Sequence, residues 1–538
     1  MGAGGGAARR RRGTAAGLLG VALLVAGTVL TPDGAYAQPT PTPGGHSTGH
    51  GEGDDRDGGR DGHDAKKDDH GKGGATPKPG DSPNATPTRR SGPSAAAPTA
   101  TGGSDSPAAR PVPAPGAVLA AAEDGPEAAV PTTQGLQQAL VAALADRNLG
   151  DVTFAVADAA VGRLLYGSGE NTPATPASTT KLATSIAALS LIPGDTRLST
   201  RVVRGADPGT ITLVGGGDPT LTALPADQVQ IGGQPADADT APASLDALAR
   251  QTAAALAAAG TTTVKLDYDL SMYAGDPRHR NHDGQNIALV VPLMLDEAKV
   301  DPKSRDDAPN RVADPAGAAA EAFAALLKAQ GVTVEGKATP AAAPAAADAP
   351  VLGRVDSPTI DRLVERLLTT SDNQLAEAVA RQAALAAHQP ASFEGAAAAV
   401  AQELTRLGVP TGDVVLNDGS GLHPGNAIPP AVLVRLLCLA ASEQHPALRP
   451  VLTGLPVAGF TGTLGKRYGA GSGAADAAGL IRAKTGTLSG VNTLAGTVVD
   501  ADGRLLVFAV MTRTPAPADT ARAAMDRIAA RLAGCGCH

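Results

Sequence analysis

The amino-acid sequence predicts an α+β fold, in which an antiparallel sheet is flanked by helices and interrupted by a smaller β-rich insertion. Residues 135–148 have the apolar spacing of an amphipathic helix and lead into two strand-like segments, 153–156 and 163–166. The end of the chain mirrors this order, because strand-like segments at 491–499 and 505–512 precede a helical pattern. We therefore expect both ends of the chain to contribute to one sheet.

The two C-terminal strands and the final helix have clear local signals. Asp502-Gly503 lies between the strands and is a strong hairpin sequence, because glycine adopts the positive φ angles of a tight turn. The closing helix is predicted at 520–532. A helical block at 360–407 precedes these elements and returns the chain to the main domain.

The middle of the chain has a different character and is interpreted as an insertion. It contains short strand-like pieces, such as 210–214 and 261–266, together with glycine turns and an Ala/Pro tract from Ala338 to Pro350. We expect an inserted region at 201–355. The catalytic domain is then expected at 132–200 and 356–538.

The N-terminal 37 residues are typical of an export signal. Arg9–Arg12 precede an apolar run from Ala15 to Leu30, and Ala35-Tyr36-Ala37 forms a small-x-small cleavage pattern. We predict cleavage after Ala37, which would place the mature protein outside the cytoplasm, peripheral to a membrane at most. An uncleaved membrane anchor and twin-arginine export are the alternatives, although the apolar run is short for a bilayer span.

Residues 38–131 are predicted to be a disordered tether. Pro, Gly, Asp, Ser, Thr and Ala dominate this segment, which therefore cannot bury enough apolar surface to offset its ordering entropy. Four histidines are interleaved with aspartates between His46 and His70, a composition that can bind metal ions loosely. A solvated low-complexity linker is the preferred interpretation.

Composition and cysteine content exclude several classes of function. The chain has 66 Gly, 43 Pro, no Trp and a net charge of −8, so a basic nucleic-acid-binding surface is not expected. One disulfide plus one free thiol is the simplest use of Cys438, Cys535 and Cys537, but the sequence leaves the pairing open. Cys535, Cys537 and His538 supply too few ligands for a zinc site, and no metal or organic cofactor is predicted.

The first candidate for catalysis is Ser178-Thr179-Thr180-Lys181, directly before the helical run Leu182–Leu191. Residues three apart share a helix face, so Lys181 can lie beside the Ser178 hydroxyl and take its proton when the amine is neutral. Burial and a nearby cation lower the pKa of a lysine and permit this role. The alternative is that Ser178 only caps the helix.

The second candidate is Ser371-Asp372-Asn373, where polar groups interrupt an apolar helical pattern. Such a break places hydroxyl and amide groups at a helix junction that can face a cleft. Helix capping by Ser371 and Asn373 is the alternative interpretation.

The third candidate is Lys484-Thr485-Gly486-Thr487, next to the predicted strand that starts at Val491. A strand edge with this composition can pair its backbone with an extended peptide, because Gly486 permits close approach. Lys484 can also offer its charge to a carboxylate of the bound peptide. An exposed strand with a turn glycine is the alternative.

In this order, Ser-x-x-Lys, Ser-x-Asn and Lys-Thr-Gly form the signature set of penicillin-binding proteins and serine β-lactamases. The chain resembles the D-alanyl-D-alanine carboxypeptidase/endopeptidase family often called DacB-type, the class C low-molecular-mass penicillin-binding proteins. Four further stretches support this resemblance: Gly215–Leu221, Val300–Pro302, Arg311–Pro315 and Asp418–Leu422. His423 is a departure, since a serine is more usual after Leu422.

The resemblance implies a serine β-lactamase/DD-transpeptidase-like fold and a specific division of labour. Ser178 would attack the carbonyl between two D-alanines with Lys181 as base, and Ser371 and Asn373 would relay protons and hold the substrate amide. Substrate binding would involve Lys484, Thr485, Gly486 and Thr487, with the N–H groups of Ser178 and Thr487 forming the oxyanion hole. Penicillin would acylate Ser178 as a mimic of the dipeptide.

The implied partners are peptidoglycan peptides ending in D-Ala-D-Ala, and β-lactam inhibitors. A serine β-lactamase would use the same groups, although the long gap between Ser178 and Ser371 argues against it. An endopeptidase would differ only in its substrate. A noncatalytic wall-binding or β-lactam-sensing module is the alternative of a different class, and it would not require both Ser178 and Lys181.

Overall fold

The computed structural model describes residues 128–231 and 233–538. The predicted export signal and nearly all of the predicted tether lie outside the described residues. No helix within 128–231 or 233–538 combines the length and the apolar character needed to cross a bilayer.

The strands are, in chain order, β1 (Asp151–Asp158), β2 (Leu164–Ser168), β3 (Arg197–Arg204), β4 (Thr210–Val214), β5 (Gln230–Ile231), β6 (Gln234–Pro235), β7 (Thr263–Asp269), β8 (Thr333–Pro340), β9 (Val351–Thr359), β10 (Ile481–Leu488), β11 (Val491–Val499) and β12 (Leu505–Arg513). The helices are α1 (Thr133–Leu144), α2 (Thr180–Leu191), α3 (Leu245–Ala258), α4 (Pro315–Ala329), α5 (Ile360–Thr370), α6 (Asn373–Ala386), α7 (Phe393–Arg406), α8 (Pro430–Ala441), α9 (Pro450–Thr453) and α10 (Ala518–Ala533).

The first sheet joins the two ends of the described chain, as the sequence predicts. Its order is β10-β11-β12-β1-β2, and every neighbouring pair is antiparallel. The predicted hairpin is present, since β11 pairs with β12 around the Asp502-Gly503 turn. β10 is an edge strand: the backbone of Pro456 and Ala458 bonds to its start, at Ala483 and Ile481, and the outer side of its later residues can pair with a peptide.

Both faces of this sheet are buried, and alternate residues of β1 serve the two sides. Phe154 and Val156 pack in one core with α1 and α10, whereas Ala155 and Ala157 pack in the other core with α2, α5, α6 and α8. Ala155 lies opposite Ala509, which also pairs with Ala495 across the sheet. This row of small side chains lets the second helical layer approach the sheet closely.

Two central helices adjoin the turns that carry the first and second sequence motifs. α2 is buried on nearly all sides, as expected for a helix made of Leu, Ile, Ala and Thr at the centre of a layer. α5 has the clearest amphipathic pattern, with its buried residues at Ile360, Leu363, Val364, Leu367 and Leu368. Their spacing follows the 3.6-residue repeat, so one stripe faces the core and fixes the point where the helix ends.

The second sheet is built from chain between α2 and α5, and its order is β8-β7-β4-β3-β9. β7 is parallel to both β4 and β8, so the connections through α3 and α4 are βαβ crossovers. The sequence analysis predicted strands here but neither helix. Both helices are rich in alanine, which occurs on their buried and exposed sides alike and weakens the periodic signal.

The structure assigns the cysteine pairing that the sequence leaves open. Cys535 and Cys537 are paired with each other, and Cys438 is a buried free thiol on α8. The Cys537 carbonyl accepts a hydrogen bond of 2.7 Å from the Thr132 N–H. The C-terminal tail therefore holds the start of α1.

Candidate active site

Ser178 lies in a short 3-10 turn, Ala177–Thr179, that leads directly into α2. Ala177 has a φ of 46°, in the left-handed region that non-glycine residues rarely adopt. Two glycines permit the close packing around this turn: a Cβ on Gly421 would lie 1.9 Å from the Ala177 carbonyl oxygen, and one on Gly486 would lie 2.9 Å from the Ser178 nitrogen. Ser178 does not cap α2, so the capping alternative is wrong.

Lys181 Nζ lies within hydrogen-bonding distance of three oxygen atoms. The distances are 3.0 Å to Ser178 Oγ, 2.6 Å to Asn373 Oδ1 and 2.7 Å to the Ser420 carbonyl oxygen. A neutral amine has two N–H groups and one lone pair. If the two N–H groups bond to Asn373 and Ser420, the lone pair faces the Ser178 hydroxyl, which is the arrangement that a general base requires.

The environment of Lys181 favours the neutral amine. The side chain is fully buried, and burial lowers its pKa to about 8, although the charges of Asp418, Asp372 and Glu377 oppose that shift. With a pKa of about 8, roughly a tenth of the amine is unprotonated at pH 7, far more than for a lysine in water, and this suits proton abstraction.

Ser371 and Lys484 form the second half of the site. Ser371 ends α5 in the left-handed conformation, with a φ of 61°. The chain turns at this residue, so the Ser371 hydroxyl lies at the junction between α5 and α6. Lys484 Nζ donates to Ser371 Oγ at 2.7 Å and to the Thr485 carbonyl oxygen at 2.8 Å. Burial, and then repulsion by Lys181, hold the pKa of Lys484 well below its usual range.

The remaining predicted substrate-binding residues follow Lys484 along β10. The Thr485 hydroxyl lies 2.8 Å from the Thr463 hydroxyl, and Arg522 donates to Thr487 Oγ1 at 3.1 Å. Gly486 lies between them against Pro176 and Ser178, where a larger residue would not fit. The three sequence motifs therefore meet at one place, with the edge strand beside the serine hydroxyl.

Sequence reasoning missed several residues that hold this arrangement. Glu377 on α6 accepts from the backbone N–H groups of Gly419 and Ser420, at 3.1 Å and 2.8 Å. Asp418 pairs with His279 at 2.9 Å, and both side chains are buried. These contacts fix the Ser420 carbonyl that faces Lys181. Asp418 and Ser420 lie in a stretch already noted for its resemblance to a family, but nothing in the sequence pairs them with Glu377 or His279.

Asp372, between Ser371 and Asn373, is a second missed residue. Its carboxylate caps α6 by accepting from the Leu375 N–H at 2.8 Å, and it forms a 3.0 Å ion pair with Arg311. Burial alone would raise its pKa, but the charges of Arg311 and Lys299 and the helix-cap bond lower it to about 2. The N-cap of α6 is thus Asp372, so the alternative interpretation, in which Ser371 and Asn373 cap this helix, is wrong.

His279, Glu377 and Asp418 are the types of side chain that bind metals, and their donor atoms lie within 4.8 Å of one another. Each is already bonded within the protein, since His279 Nδ1 accepts from the Asn281 N–H at 3.0 Å while its other nitrogen contacts Asp418. A neutral imidazole that donates to Asp418 explains both contacts. We therefore interpret the cluster as structural.

Comparison with known proteins agrees with this geometry. The sequence profile of the D-Ala-D-Ala carboxypeptidase 3 (S13) family matches residues 136–309 and 300–532. Carboxypeptidase DacB of Mycolicibacterium smegmatis is 37% identical over 76% of this chain and 86% of the relative. The D-alanyl-D-alanine carboxypeptidase of an Actinomadura species is 29% identical over 70% of this chain and 80% of the relative.

The fold is also found in a solved structure. The crystal structure of penicillin binding protein 4 (dacB) from Haemophilus influenzae superposes with a TM-score of 0.57 and 19% sequence identity. The match covers 74% of this chain and 98% of that chain. The predicted fold class is confirmed by this likeness.

Proposed function

The chain belongs to the D-Ala-D-Ala carboxypeptidase 3 (S13) family of penicillin-binding serine peptidases, and we propose that it hydrolyses D-Ala-D-Ala peptides through an acyl-enzyme on Ser178. The observation that carries this proposal is the contact between the buried Lys181 amine and Ser178 Oγ, at 3.0 Å. A lysine whose pKa is lowered to about 8 and whose other bonds go to oxygen atoms is a suitable base for a serine nucleophile.

Acylation begins with proton transfer from Ser178 Oγ to Lys181 Nζ. The new bond joins Oγ to the carbonyl carbon of the penultimate D-alanine, and the bond to the terminal D-alanine nitrogen then breaks. That nitrogen must gain a proton as it leaves. Ser371 can deliver it and be reprotonated by way of Lys484 with the proton that Lys181 accepted, which returns Lys181 to its neutral form; Lys484 Nζ lies 2.7 Å from the Ser371 hydroxyl and close enough to Lys181 for their charges to repel.

The substrate is held by the edge of the sheet. An extended peptide can pair with β10, and the backbone N–H groups of Ser178 and Thr487 can stabilise the oxyanion that develops on the carbonyl oxygen. Lys484 and Thr485 supply an amine and a hydroxyl as donors for the terminal carboxylate, and the charge of the bound carboxylate would favour the protonated form of Lys484. Asn373 binds Lys181 through its oxygen, which keeps the amide in place to contact the substrate.

In deacylation, Lys181 acts as the base a second time. Water attacks the ester on Ser178 while Lys181 accepts a proton from that water, and Lys181 returns the proton to Ser178 Oγ as the ester bond breaks. A β-lactam would acylate Ser178 by the same route. Its ring-opened ester would persist if the leaving group stays attached and obstructs the approach of water.

The test is intact-mass spectrometry of the full-length protein with benzylpenicillin, together with release of D-alanine from diacetyl-lysyl-D-alanyl-D-alanine. We expect a penicilloyl adduct and D-alanine release in the native protein, and neither in Ser178→Ala. Ser190→Ala is the matched control, since this serine lies at the other end of α2, where it contacts Glu403.

The other outcomes separate the remaining alternatives. Rapid penicillin hydrolysis without D-alanine release would indicate a β-lactamase. A folded protein that shows neither acylation nor release would overturn the enzyme proposal and leave a wall-binding or sensing module. A second substrate, a peptidoglycan dimer with a D-alanyl cross-link, measures the balance between carboxypeptidase and endopeptidase activity.

We also propose that the protein acts on peptidoglycan outside the cytoplasm, without nucleic-acid partners. The predicted export signal at residues 1–37 supports this location. The N-terminal sequence of protein recovered from an expressing bacterium tests it. We expect Gln38 as the first residue, whereas an intact N-terminus in a membrane fraction would favour the anchor.

A further inference from the structure

Chain between β7 and α4 lies against the start of α6 and bonds to it at successive positions. Asn373 Nδ2 donates to the Asn286 carbonyl oxygen at 3.1 Å, so both ends of this amide are held, one by Lys181 and one by the inserted region. The next residue, Gln374, accepts from the Ala288 N–H at 3.1 Å. The inserted region therefore helps to position the Ser-x-Asn motif.

Arg311 is the centre of this contact. Its Nε donates to the Gln285 carbonyl oxygen at 2.8 Å, its Nη1 donates to the Glu297 carbonyl oxygen at 2.5 Å, and its Nη2 contacts Asp372 Oδ2 at 3.0 Å. The side chain is buried. A guanidinium is suited to this task, because its planar fork bonds several acceptors in fixed directions.

The three carboxylates whose charges act on Lys181 have different partners. Asp418 bonds to His279, and Glu377 bonds to backbone N–H groups. Asp372 is balanced by the full positive charge of Arg311 and directly precedes Asn373, which touches the lysine amine. The charge of Arg311 therefore acts next to the base.

Resting on the function proposed above, we propose that Arg311 is a positioning residue for acylation: it fixes the Ser371–Asn373 turn to the inserted region and offsets the charge of Asp372, which would otherwise favour the protonated form of Lys181.

The sign of the electrostatic effect follows from the charges. An unbalanced carboxylate near Lys181 stabilises its protonated form and raises its pKa, so acylation would need a higher pH. Removing the carboxylate while keeping Arg311 does the opposite. Other charged groups pack around the turn from each neighbouring element, and they remain unchanged in both experiments: Lys484 on β10, Glu377 on α6, Asp418 between α7 and α8, Arg366 on α5, and His279, Glu297 and Lys299 in the inserted region.

The experiment measures the acylation rate constant of the full-length protein with a fluorescent penicillin across pH. The acylation rate rises with pH along one limb of the profile. We expect Arg311→Met to shift this limb to higher pH by about half a unit or more. Asp372→Asn, which retains a helix-capping side chain, should shift that limb to lower pH. The double variant should return it toward the native position, because both charges are then removed.

Two further variants separate charge from structure. Arg354→Met removes an exposed arginine of β9 and should leave the pH profile unchanged. Arg311→Lys retains the charge but loses the fork, so we expect a native pH limb with a lower maximal rate. Arg311→Met/Asp372→Asn keeps the test decisive if Arg311→Met does not fold, since it removes both buried charges. Asp372→Asn serves the same purpose, because Arg311 keeps its two carbonyl acceptors in that variant.

The two proposals fail in distinguishable ways. A native protein that is never acylated contradicts the proposed function. A native protein that is acylated, with pH limbs that coincide in Asp372→Asn, the double variant and any folded Arg311→Met, contradicts the role of Arg311 alone.

Discussion

At the residue scale, the chemistry of the candidate active site follows from two buried lysines. Lys181 and Lys484 are both fully buried, and each is surrounded by oxygen acceptors rather than paired with one carboxylate. An isolated buried ammonium is costly, so the pKa of each amine falls instead. The site thus obtains a base near neutral pH without a histidine.

Gly486 shows how closely the elements approach. A Cβ at this position would lie 2.2 Å from Thr493 Oγ1, 2.8 Å from the Pro176 carbonyl oxygen and 2.9 Å from the Ser178 nitrogen. We expect Gly486→Ala to displace β10 from the nucleophile and to slow penicillin acylation about 100-fold or more, since small displacements of reacting groups cost this much.

Gly412→Ala is the matched control, because nothing lies within 4 Å of a Cβ built there. The measurement is the acylation rate constant of both variants, with circular dichroism as a check of folding. A Gly486→Ala protein that reacts at the native rate would show that the close approach is not required.

At the scale of elements, α5 and α6 carry the second motif because one ends where the other begins. The left-handed Ser371 stops α5, and Asp372 caps α6, so the motif occupies the turn between two well-packed helices. The position of Ser371 therefore depends on how α5 packs in the core.

Leu367→Ala tests this dependence. Leu367 is fully buried on α5, and its truncation should lower the free energy of unfolding by about 2–5 kcal/mol through lost burial and a residual cavity. Leu385→Ala, at a partly exposed position near the end of α6, should cost about 1 kcal/mol or less. Urea unfolding measures both values, and equal losses in the two variants would contradict the packing argument.

At the scale of the whole molecule, charged groups buried around the second sheet make stability depend on pH. Asp218 is fully buried after β4; its Oδ1 accepts from Thr220, while its Oδ2 has no partner among the described residues. Burial raises the pKa of Asp218 to about 6. Because the folded-state pKa lies above the unfolded value, the neutral acid favours folding at low pH, and this contribution is lost as pH rises through about 6.

Asp218→Asn should therefore stabilise the protein at pH 7 by about 1–3 kcal/mol and have a much smaller effect at pH 4.5, where the native carboxyl is already neutral. Urea unfolding at the two pH values measures the difference. Asp207→Asn, in the turn between β3 and β4, is the surface control. Equal effects of Asp218→Asn at both pH values would contradict the assignment.

The sequence by itself determined the elements of the first sheet and pointed to the reactive groups of the three motifs. Periodicity and turn chemistry are local, so β1, β11, β12 and the closing helix were predicted close to their observed bounds. Ser178, Lys181, Ser371, Asn373 and Lys484 were also named from the sequence, because each motif places its reactive groups at short, fixed separations along the chain. The domain boundaries at 201–355 and the roles of these residues stay predictions.

Only the tertiary structure decided which distant groups surround those residues. Arg311 meets Asp372, His279 meets Asp418, and the Ser420 carbonyl faces Lys181 across long stretches of chain. No short-range pattern encodes such pairs, because they depend on how distant segments of the chain pack against one another. The pKa of a buried lysine is likewise set by the solvent and charges removed from or brought to it in the folded state, which no spacing of residues specifies.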